Sequence, residues 1–218
     1  GQDIRFQEDR IESGRNFCTK LWNACRFRQI SGEMGNNSSL EAIISRLDAS
    51  RFDNDDHAIL LRLFDVEVSI AEDFGNYEFN RAVQNMYGFF WNDFCDWYVE
   101  VSKSKLKDEA TKENCLAIQD FVLRQVLLLL HPFTPFITEE LWQTMGYGKE
   151  GEFIQNESFA ISSIREQMTL DSGAANEISL LKSFAAAARA LKAEYNLASR
   201  RDVKLFLSAS DEQWIMVE

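Results

Sequence analysis

The chain has 218 residues, of which 45% are hydrophobic, 12% aromatic and 27% charged, and its formal net charge is −12. Two prolines and ten glycines are too few for a collagen-like chain or a turn-rich all-β fold, so the composition favours a packed, mostly helical globular protein. The acidic total excludes a general polyanion binder, but residues 1–30 hold six Lys and Arg against four Asp and Glu and could form a local basic face.

Helical periodicity dominates the first two thirds of the chain. Apolar residues recur at three- and four-residue steps over 9–30, which predicts an amphipathic helix of about 20 residues. The same spacing predicts helices over 40–47, 55–74, 78–105 and 109–130. The second half of the helix over 109–130 is apolar nearly all round, so we expect it to be the central and most buried helix.

A proline-rich turn, LHPFTPF at 130–136, is predicted to end that helix, because a residue before proline avoids the helical conformation. Thr134 is placed to cap a following helix that begins at Pro135. That helix is predicted to stop at 145, before Gly146.

The predicted fold class is therefore mainly α, in two parts. Residues 1–146 are predicted to form a helical bundle, and residues 147–218 a small α/β subdomain. Within the second part we expect an irregular stretch over 152–170, a helix over 178–197 and a short strand over 203–208.

Groups that carry catalysis or bind metal ions are scarce in the sequence. It contains no glycine-rich phosphate-binding loop, and its four cysteines have no CxxC spacing and no histidine at ligand spacing. We predict no catalytic or metal-binding residue and no cofactor here, and expect reduced core cysteines, as in an intracellular protein. No apolar run reaches the ~18 residues of a membrane span, so no membrane partner is expected. The VSKSK run at 101–105 is interpreted as a helix end, where the helix dipole favours lysine.

A polar stripe on the first predicted helix is the strongest candidate for a binding site. Asparagine can read base edges, Lys and Arg can bind phosphates, and an exposed tryptophan can stack on an unpaired base. The stripe and its flanking residues are Arg15, Asn16, Lys20, Trp22, Asn23 and Arg26. Taken alone, this pattern is also that of an ordinary solvated helix face.

Four parts of the chain carry a longer recognisable pattern. They are GQDIRF at 1–6 with RNFCTKLWNA at 15–24, FWNDFCDWY at 90–98, LHPFTPFITEELW at 130–142 and ARALKAE at 188–194. In order and spacing they resemble the valyl-tRNA synthetase family of class Ia aminoacyl-tRNA synthetases. LWNA together with FCDWY favours the valyl branch over the isoleucyl and leucyl branches, which share the fold and a form of the proline turn.

The resemblance implies an anticodon-binding bundle without the family's catalytic, editing and coiled-coil domains. The full-length enzyme would be a cytoplasmic monomer that joins valine to its tRNA with ATP and Mg²⁺. This fragment would bind the anticodon stem-loop of tRNA(Val) and the remainder of the synthetase chain. The tRNA-binding residues would be the stripe residues named above, joined in the tail by Arg189 and Lys192. Two alternatives are the matching domain of an isoleucyl or leucyl enzyme and a helical protein-interaction module that binds no RNA.

Overall fold

The computed structural model describes residues 8–33, 39–148, 151–157, 164–166, 168–197, 200 and 202–204. The α-helices in these ranges are Glu8–Ser31 (α1), Leu40–Ser45 (α2), Asn54–Gly75 (α3), Phe79–Gly88 (α4), Val99–Lys105 (α5), Glu109–Leu130 (α6), Pro135–Met145 (α7) and Ser172–Glu194 (α8). A π-helical segment, Phe89–Tyr98, joins α4 to α5. Single 3₁₀ turns occur at Ala49–Arg51 and Ile154–Asn156, and residues 164–166 form a further helical turn. None of the described helices is both long and apolar enough to cross a membrane.

The mainly α prediction is confirmed, and α1, α3, α6 and α7 begin and end within one residue of their predicted bounds. Local chemistry fixes several of these ends. The Asp53 side chain accepts a hydrogen bond from the Asp56 backbone N–H at the start of α3, and Asp108 does the same for Ala110 at the start of α6. Such caps satisfy backbone donors that have no partner inside the helix.

The predicted cap of α7 and the predicted start of the last helix need correction. Pro135 is the first residue of α7, but the Thr134 hydroxyl does not cap it, because that hydroxyl donates to the Leu130 carbonyl oxygen at 3.2 Å. The last helix, predicted from 178, begins at Ser172, since the Asp171 side chain accepts from the Gly173 N–H and supplies a cap six residues earlier. Apolar periodicity finds the packed part of a helix and misses a polar first turn.

The core of the bundle lies around α6, as predicted. Every residue from Asn114 to Leu130 is buried. Helices α1, α2, α3, α4, α5 and α7 all contact α6. A helix surrounded in this way gains hydrophobic stabilisation on all its faces, which explains why its sequence is apolar nearly all round.

The predicted single helix over 78–105 is continuous, but its middle third is π-helical. The rings of Phe90, Phe94 and Tyr98 are buried, and the centroids of successive rings lie 6.1 Å apart. A π-helix bonds each residue to the fifth along and has a wider turn than an α-helix. This segment therefore presents a different set of side chains to each neighbour than an α-helix would.

The lysines of the VSKSK run have structural partners. Lys103 pairs with Glu100 one turn earlier in α5. Lys105 donates to the carboxylates of Asp53 and Asp56 at 2.5 and 2.7 Å. The Tyr98 hydroxyl also donates to Asp56 at 2.7 Å, so this cluster ties the end of α5 to the cap of α3. The interpretation of the run as a helix end is in keeping with these contacts.

The described tail residues pack on the bundle. Tyr147, Ile154 and Ile164 belong to the same hydrophobic core as the helices, and α8 lies along α3. No strand occurs in the described residues; Val203 and Lys204 are in neither helix nor strand, and the rest of the predicted strand over 203–208 lies outside them. The predicted division at 146 and the α/β character of residues 147–218 stay predictions.

The four cysteines are free thiols; three lie in the buried core, as expected, but Cys18 is only half-buried. Burial is the first cause that raises the pKa of Cys25 and Cys95 to about 12 and that of Cys115 to about 11. Since the thiolate is the reactive form, we expect a disulfide reagent at pH 8 to modify Cys18 in the native chain and the others only after unfolding. The reagent releases one chromophore for each thiol that it modifies, so absorbance with and without denaturant gives the number of reactive thiols. Cys18→Ser should remove the reaction of the folded chain. Rapid native modification of a second thiol would contradict the prediction.

Candidate nucleic-acid interface

The orientation of α1 determines which of its side chains are available. Successive residues of an α-helix are rotated by about 100°, which places Phe17, Leu21, Ala24 and Arg28 on one side. All four are buried. The opposite half of the helix is accessible and carries five of the six residues predicted from the sequence, with the half-buried Lys20 at its edge: Arg15, Asn16, Trp22, Asn23 and Arg26. These five and Lys20 are called the α1 face below.

The middle of the α1 face carries polar groups that are open to a ligand. Asn16, Asn23 and Arg26 are exposed, and none of their side chains has a hydrogen-bond partner within the described part of the chain. Arg15 pairs with Glu12 at 3.3 Å, but both side chains are more than half exposed, so the pair is weak and easily exchanged. Two amides and two guanidinium groups thus lie next to each other on one helix.

Lys20 borders the α1 face on the side of the π-helical segment and is already engaged. Its ammonium group lies 2.7 Å from an Asp96 carboxylate oxygen and 4.7 Å from the centroid of the Trp91 ring. Trp91 in turn stacks on Tyr87, and Tyr87 on Phe17, with centroids 5.4 and 5.2 Å apart. The charge of Lys20 is therefore partly neutralised by Asp96, which the sequence pattern did not indicate.

Trp22 borders the α1 face on the side of α7. Its side chain is 42% exposed and lines a cleft of about 300 Å³ together with Arg26, Gln29 and two α7 residues, Leu141 and Thr144. The Gln29 amide donates to the Thr144 carbonyl oxygen at 3.1 Å and holds the two helices together there. Within the described residues the Trp22 indole stacks on no other ring, so it is available to a planar ligand.

A buried ionic junction fixes α1 in place. The Arg28 guanidinium is fully buried and donates to Asp120 of α6 at 2.7 Å and to the backbone oxygens of Leu116 and Gly32, each at 3.3 Å. Arg46 donates to the same Asp120 oxygen at 2.8 Å. The remaining Asp120 oxygen accepts from the Tyr147 hydroxyl at 3.3 Å, and burial is the main reason why the pKa of Tyr147 lies well above its usual value. Sequence reasoning missed this junction, although an arginine on the apolar side of a predicted helix is a signal for a buried partner.

The two tail residues lie on α8, at a different part of the bundle. Arg189 is exposed, and its Nε donates to the Ala185 carbonyl oxygen at 3.2 Å. Lys192 donates to the backbone oxygen of Arg200 at 2.6 Å and so closes the end of the helix. Among the described residues no hydrogen bond or ion pair joins α8 to α1, so the structure does not merge the tail pair with the α1 face.

The π-helical segment lies between these two regions. Asp96 binds Lys20 of α1, while Asp93 accepts from Lys182 of α8 at 2.9 Å and from Arg62 of α3 at 3.1 Å. Asp93 and Asp96 belong to the FWNDFCDWY motif at 90–98, and the sequence pattern did not indicate their ion pairs. Through the pairs with Lys20 and Lys182 the π-helical segment contacts both α1, which carries the α1 face, and α8, which carries Arg189 and Lys192.

Comparison with known proteins gives a consistent result. A family model described as the anticodon-binding domain of tRNA ligase matches residues 56–207. The valine--tRNA ligase of Bacillus thuringiensis subsp. konkukian is 36% identical over 97% of this chain, and those of Geobacillus kaustophilus and Bacillus subtilis are 35% and 33% identical over 98%. Each match spans 23% of the relative's own length. The family model thus covers more than half of the chain, and the relatives extend the match to α1: the chain belongs to the family of anticodon-binding domains of tRNA ligases.

Proposed function

We propose that the chain is the part of a valine–tRNA ligase that binds the anticodon stem-loop of tRNA(Val), and that the α1 face is its RNA-binding surface. The observation that carries this proposal is the row of exposed, unpartnered polar side chains, Asn16, Asn23 and Arg26, beside an accessible tryptophan. The family and its valine-specific relatives support the choice of partner.

Each residue of the α1 face suits a different part of an unpaired anticodon loop. Bases of such a loop are splayed out, so amide groups can bind their edges and aromatic rings can stack on their faces. Asn16 and Asn23 would bind base edges, and Trp22 would stack on a base in the cleft beside Arg26. Arg15 and Arg26 would hold phosphates, which position the loop without reading its sequence.

Lys20 has a more limited role in this proposal. To bind a phosphate, its ammonium group must give up part of its ion pair with Asp96. The gain from the new contact is offset by the loss of the old one. Lys20→Ala should therefore weaken RNA binding less than Arg26→Ala, whose side chain has no partner to lose in the described structure.

Arg189 and Lys192 are proposed to contact the phosphates of the stem. Arg189 is exposed and bonds only to a carbonyl oxygen of its own helix, while Lys192 is held at the helix end by Arg200. A stem that continues from a loop bound at the α1 face would have to pass the π-helical segment to reach them. Loss of Arg189 should reduce affinity equally for any anticodon, since phosphates carry no sequence information.

The activity of the whole enzyme is a further part of the proposal. A valine–tRNA ligase would join valine to tRNA(Val) with ATP and Mg²⁺ in the cytoplasm, as a monomer, with this chain contacting the rest of the synthetase. The residues present here do not fit ATP or Mg²⁺. The sequence has no glycine-rich phosphate loop, and the described residues contain no group of three or more His, Cys, Asp or Glu that could hold a metal ion. The chain's contribution would be to position the tRNA.

The test is a titration of the chain with tRNA(Val) and with the same tRNA changed at its middle anticodon base, at two salt concentrations. Asn23→Ala should weaken binding to the natural tRNA by about 1–3 kcal/mol and remove its advantage over the altered tRNA, because a base-edge contact is lost. Arg26→Ala should weaken binding to both tRNAs alike and reduce the salt dependence, because a phosphate contact is lost.

The matched control is Asn85→Ala, since Asn85 lies on α4 and its amide is engaged by Ser69 and Asp73. It should leave the preference between the two tRNAs unchanged. Equal affinity of the parent chain for both tRNAs, with no effect of the α1 variants, would contradict the assignment of the α1 face. Binding that does not change with salt would argue for a protein-interaction module.

A further inference from the structure

A second candidate site lies on another part of the bundle. A cavity of about 560 Å³ opens between α3 and the turn after α6, and no α1 residue is among its described lining. Small-molecule sites in proteins commonly enclose about 300–1,000 Å³ and are mostly apolar. The apolar lining residues are Phe64, Val68, Ile70, Ala71, Phe74, Leu129 and Pro132.

Glu67 is the unusual member of this lining. It lines the cavity from α3 and is only 9% exposed, and its two carboxyl oxygens are buried without a hydrogen-bond partner in the described structure. Buried carboxyl groups almost always have a partner, because a buried acceptor without one costs free energy. Burial raises the pKa of Glu67 to about 8. A ligand that reaches this group would supply the missing partner.

The charges near the cavity favour one sign of ligand. Arg165 lies 6.0 Å from the Phe64 ring and 3.8 Å from the Asp65 carboxylate, and this exposed ion pair is weak. Glu166 adds a further negative charge to the lining. From the other side the cavity is bounded by Leu129 and Pro132, which carry no charge. Asp65, Glu67 and Glu166 thus outnumber Arg165 near the cavity, and this excess of acidic groups favours a cation over an anion.

We propose that this cavity binds a small amphipathic amine, with its apolar part among the side chains of α3 and its protonated nitrogen on the Glu67 carboxylate. Hydrogen bonds between two charged groups are about twice as strong as those between neutral ones, and the apolar walls keep water away from the pair. The inference is independent of RNA binding at the α1 face.

Binding of this kind has a proton signature. In the free chain at pH 7 the Glu67 carboxyl is mostly protonated, because burial raises its pKa to about 8. An ammonium ion favours the ionised carboxylate, so the carboxyl proton passes to the buffer when the amine binds. Each bound amine should release close to one proton, and a neutral ligand of the same shape should release none.

The experiment is calorimetric titration of the 218-residue chain at pH 7 with 4-phenylbutylamine, 4-phenylbutanol and 4-phenylbutanoate, in two buffers of different ionisation enthalpy. We expect the amine to bind at least about tenfold more tightly than the alcohol, with proton release, and the acid to bind most weakly. Glu67→Gln should remove the advantage of the amine and the proton release while leaving the alcohol unaffected. Glu72→Gln, at an exposed position of α3 that is not among the described lining residues, should preserve both signatures.

Ala71→Trp provides an independent check, since an indole at this lining position would occupy part of the cavity. It should weaken binding of amine and alcohol alike in a chain whose helical circular dichroism is unchanged. The proposal is overturned if no ligand of the series saturates the folded parent chain. It is equally overturned if amine, alcohol and acid bind alike, or if Glu67→Gln leaves amine binding and proton release as they were.

Discussion

Replacing Asp120 by alanine should lower the free energy of unfolding by about 3–5 kcal/mol, one of the two largest effects expected for this chain. Asp120 is the acceptor for two guanidinium groups and a tyrosine hydroxyl. Without it the Arg28 guanidinium, which is fully buried, keeps its charge but has only backbone oxygens as partners. Removing one partner of a buried ion pair costs far more than the pair contributes, because the other charge is left without compensation. Urea denaturation followed by circular dichroism measures the change.

The matched control for Asp120 is an exposed carboxylate in a similar pair. Glu100 accepts from Lys103, and both side chains are about half exposed or more. Glu100→Ala should change the unfolding free energy by less than about 1 kcal/mol, since exposed ion pairs contribute little. A loss for Asp120→Ala as small as that for Glu100→Ala would contradict the assigned importance of the junction.

Glu67→Gln should make the chain more stable at pH 8 than the parent, by an amount that grows with pH from about 4.5. The pKa of Glu67 is raised to about 8 in the folded chain, whereas its ordinary value is 4.5. Between these two values the unfolded chain ionises the group and the folded chain does not, so the free energy of unfolding falls as pH rises. The full difference, by linkage, is about 3–5 kcal/mol. Below pH 4.5 the group is protonated in both states and this contribution to the difference between parent and variant is constant.

Thermal or urea unfolding at pH 4.5, 6 and 8 tests this result. The difference between the unfolding free energies of Glu67→Gln and the parent should increase across the series. Glu166→Gln serves as the comparison, because it removes an exposed acidic residue from the lining of the same cavity. Parallel pH profiles for the parent and Glu67→Gln would show that Glu67 ionises normally in the folded chain.

Much of the helical framework could be predicted because it depends on local sequence. The alternation of apolar and polar residues fixes which half of α1 faces α6, and the two prolines fix where α6 ends and α7 begins. The accessible half of α1 was predicted for the same reason. Five of the six residues of the α1 face are exposed, and Lys20 alone is half-buried.

The rest depended on partners that are distant along the chain. Lys20 has the position of a solvent-facing lysine, and its ion pair with Asp96 joins residues 76 positions apart. Arg28 and Asp120 are 92 positions apart, and each stands among apolar residues where a single sequence gives no indication of the other. The π-helical segment was also missed, because local apolar spacing does not distinguish five-residue hydrogen bonding from the α-helical kind. Such features follow from the packing of the whole bundle.

The π-helical segment also has a consequence for how the chain tolerates changes in length. Asp93 and Asp96 are three positions apart, yet they bind lysines on two different helices, α8 and α1. In an α-helix, positions three apart lie on the same side. Deleting one residue between Asp93 and Asp96 would change their spacing, so the segment would lose at least one of these two ion pairs. A replacement at an exposed position leaves this spacing intact, so in this part of the chain substitutions should be inherited far more readily than deletions.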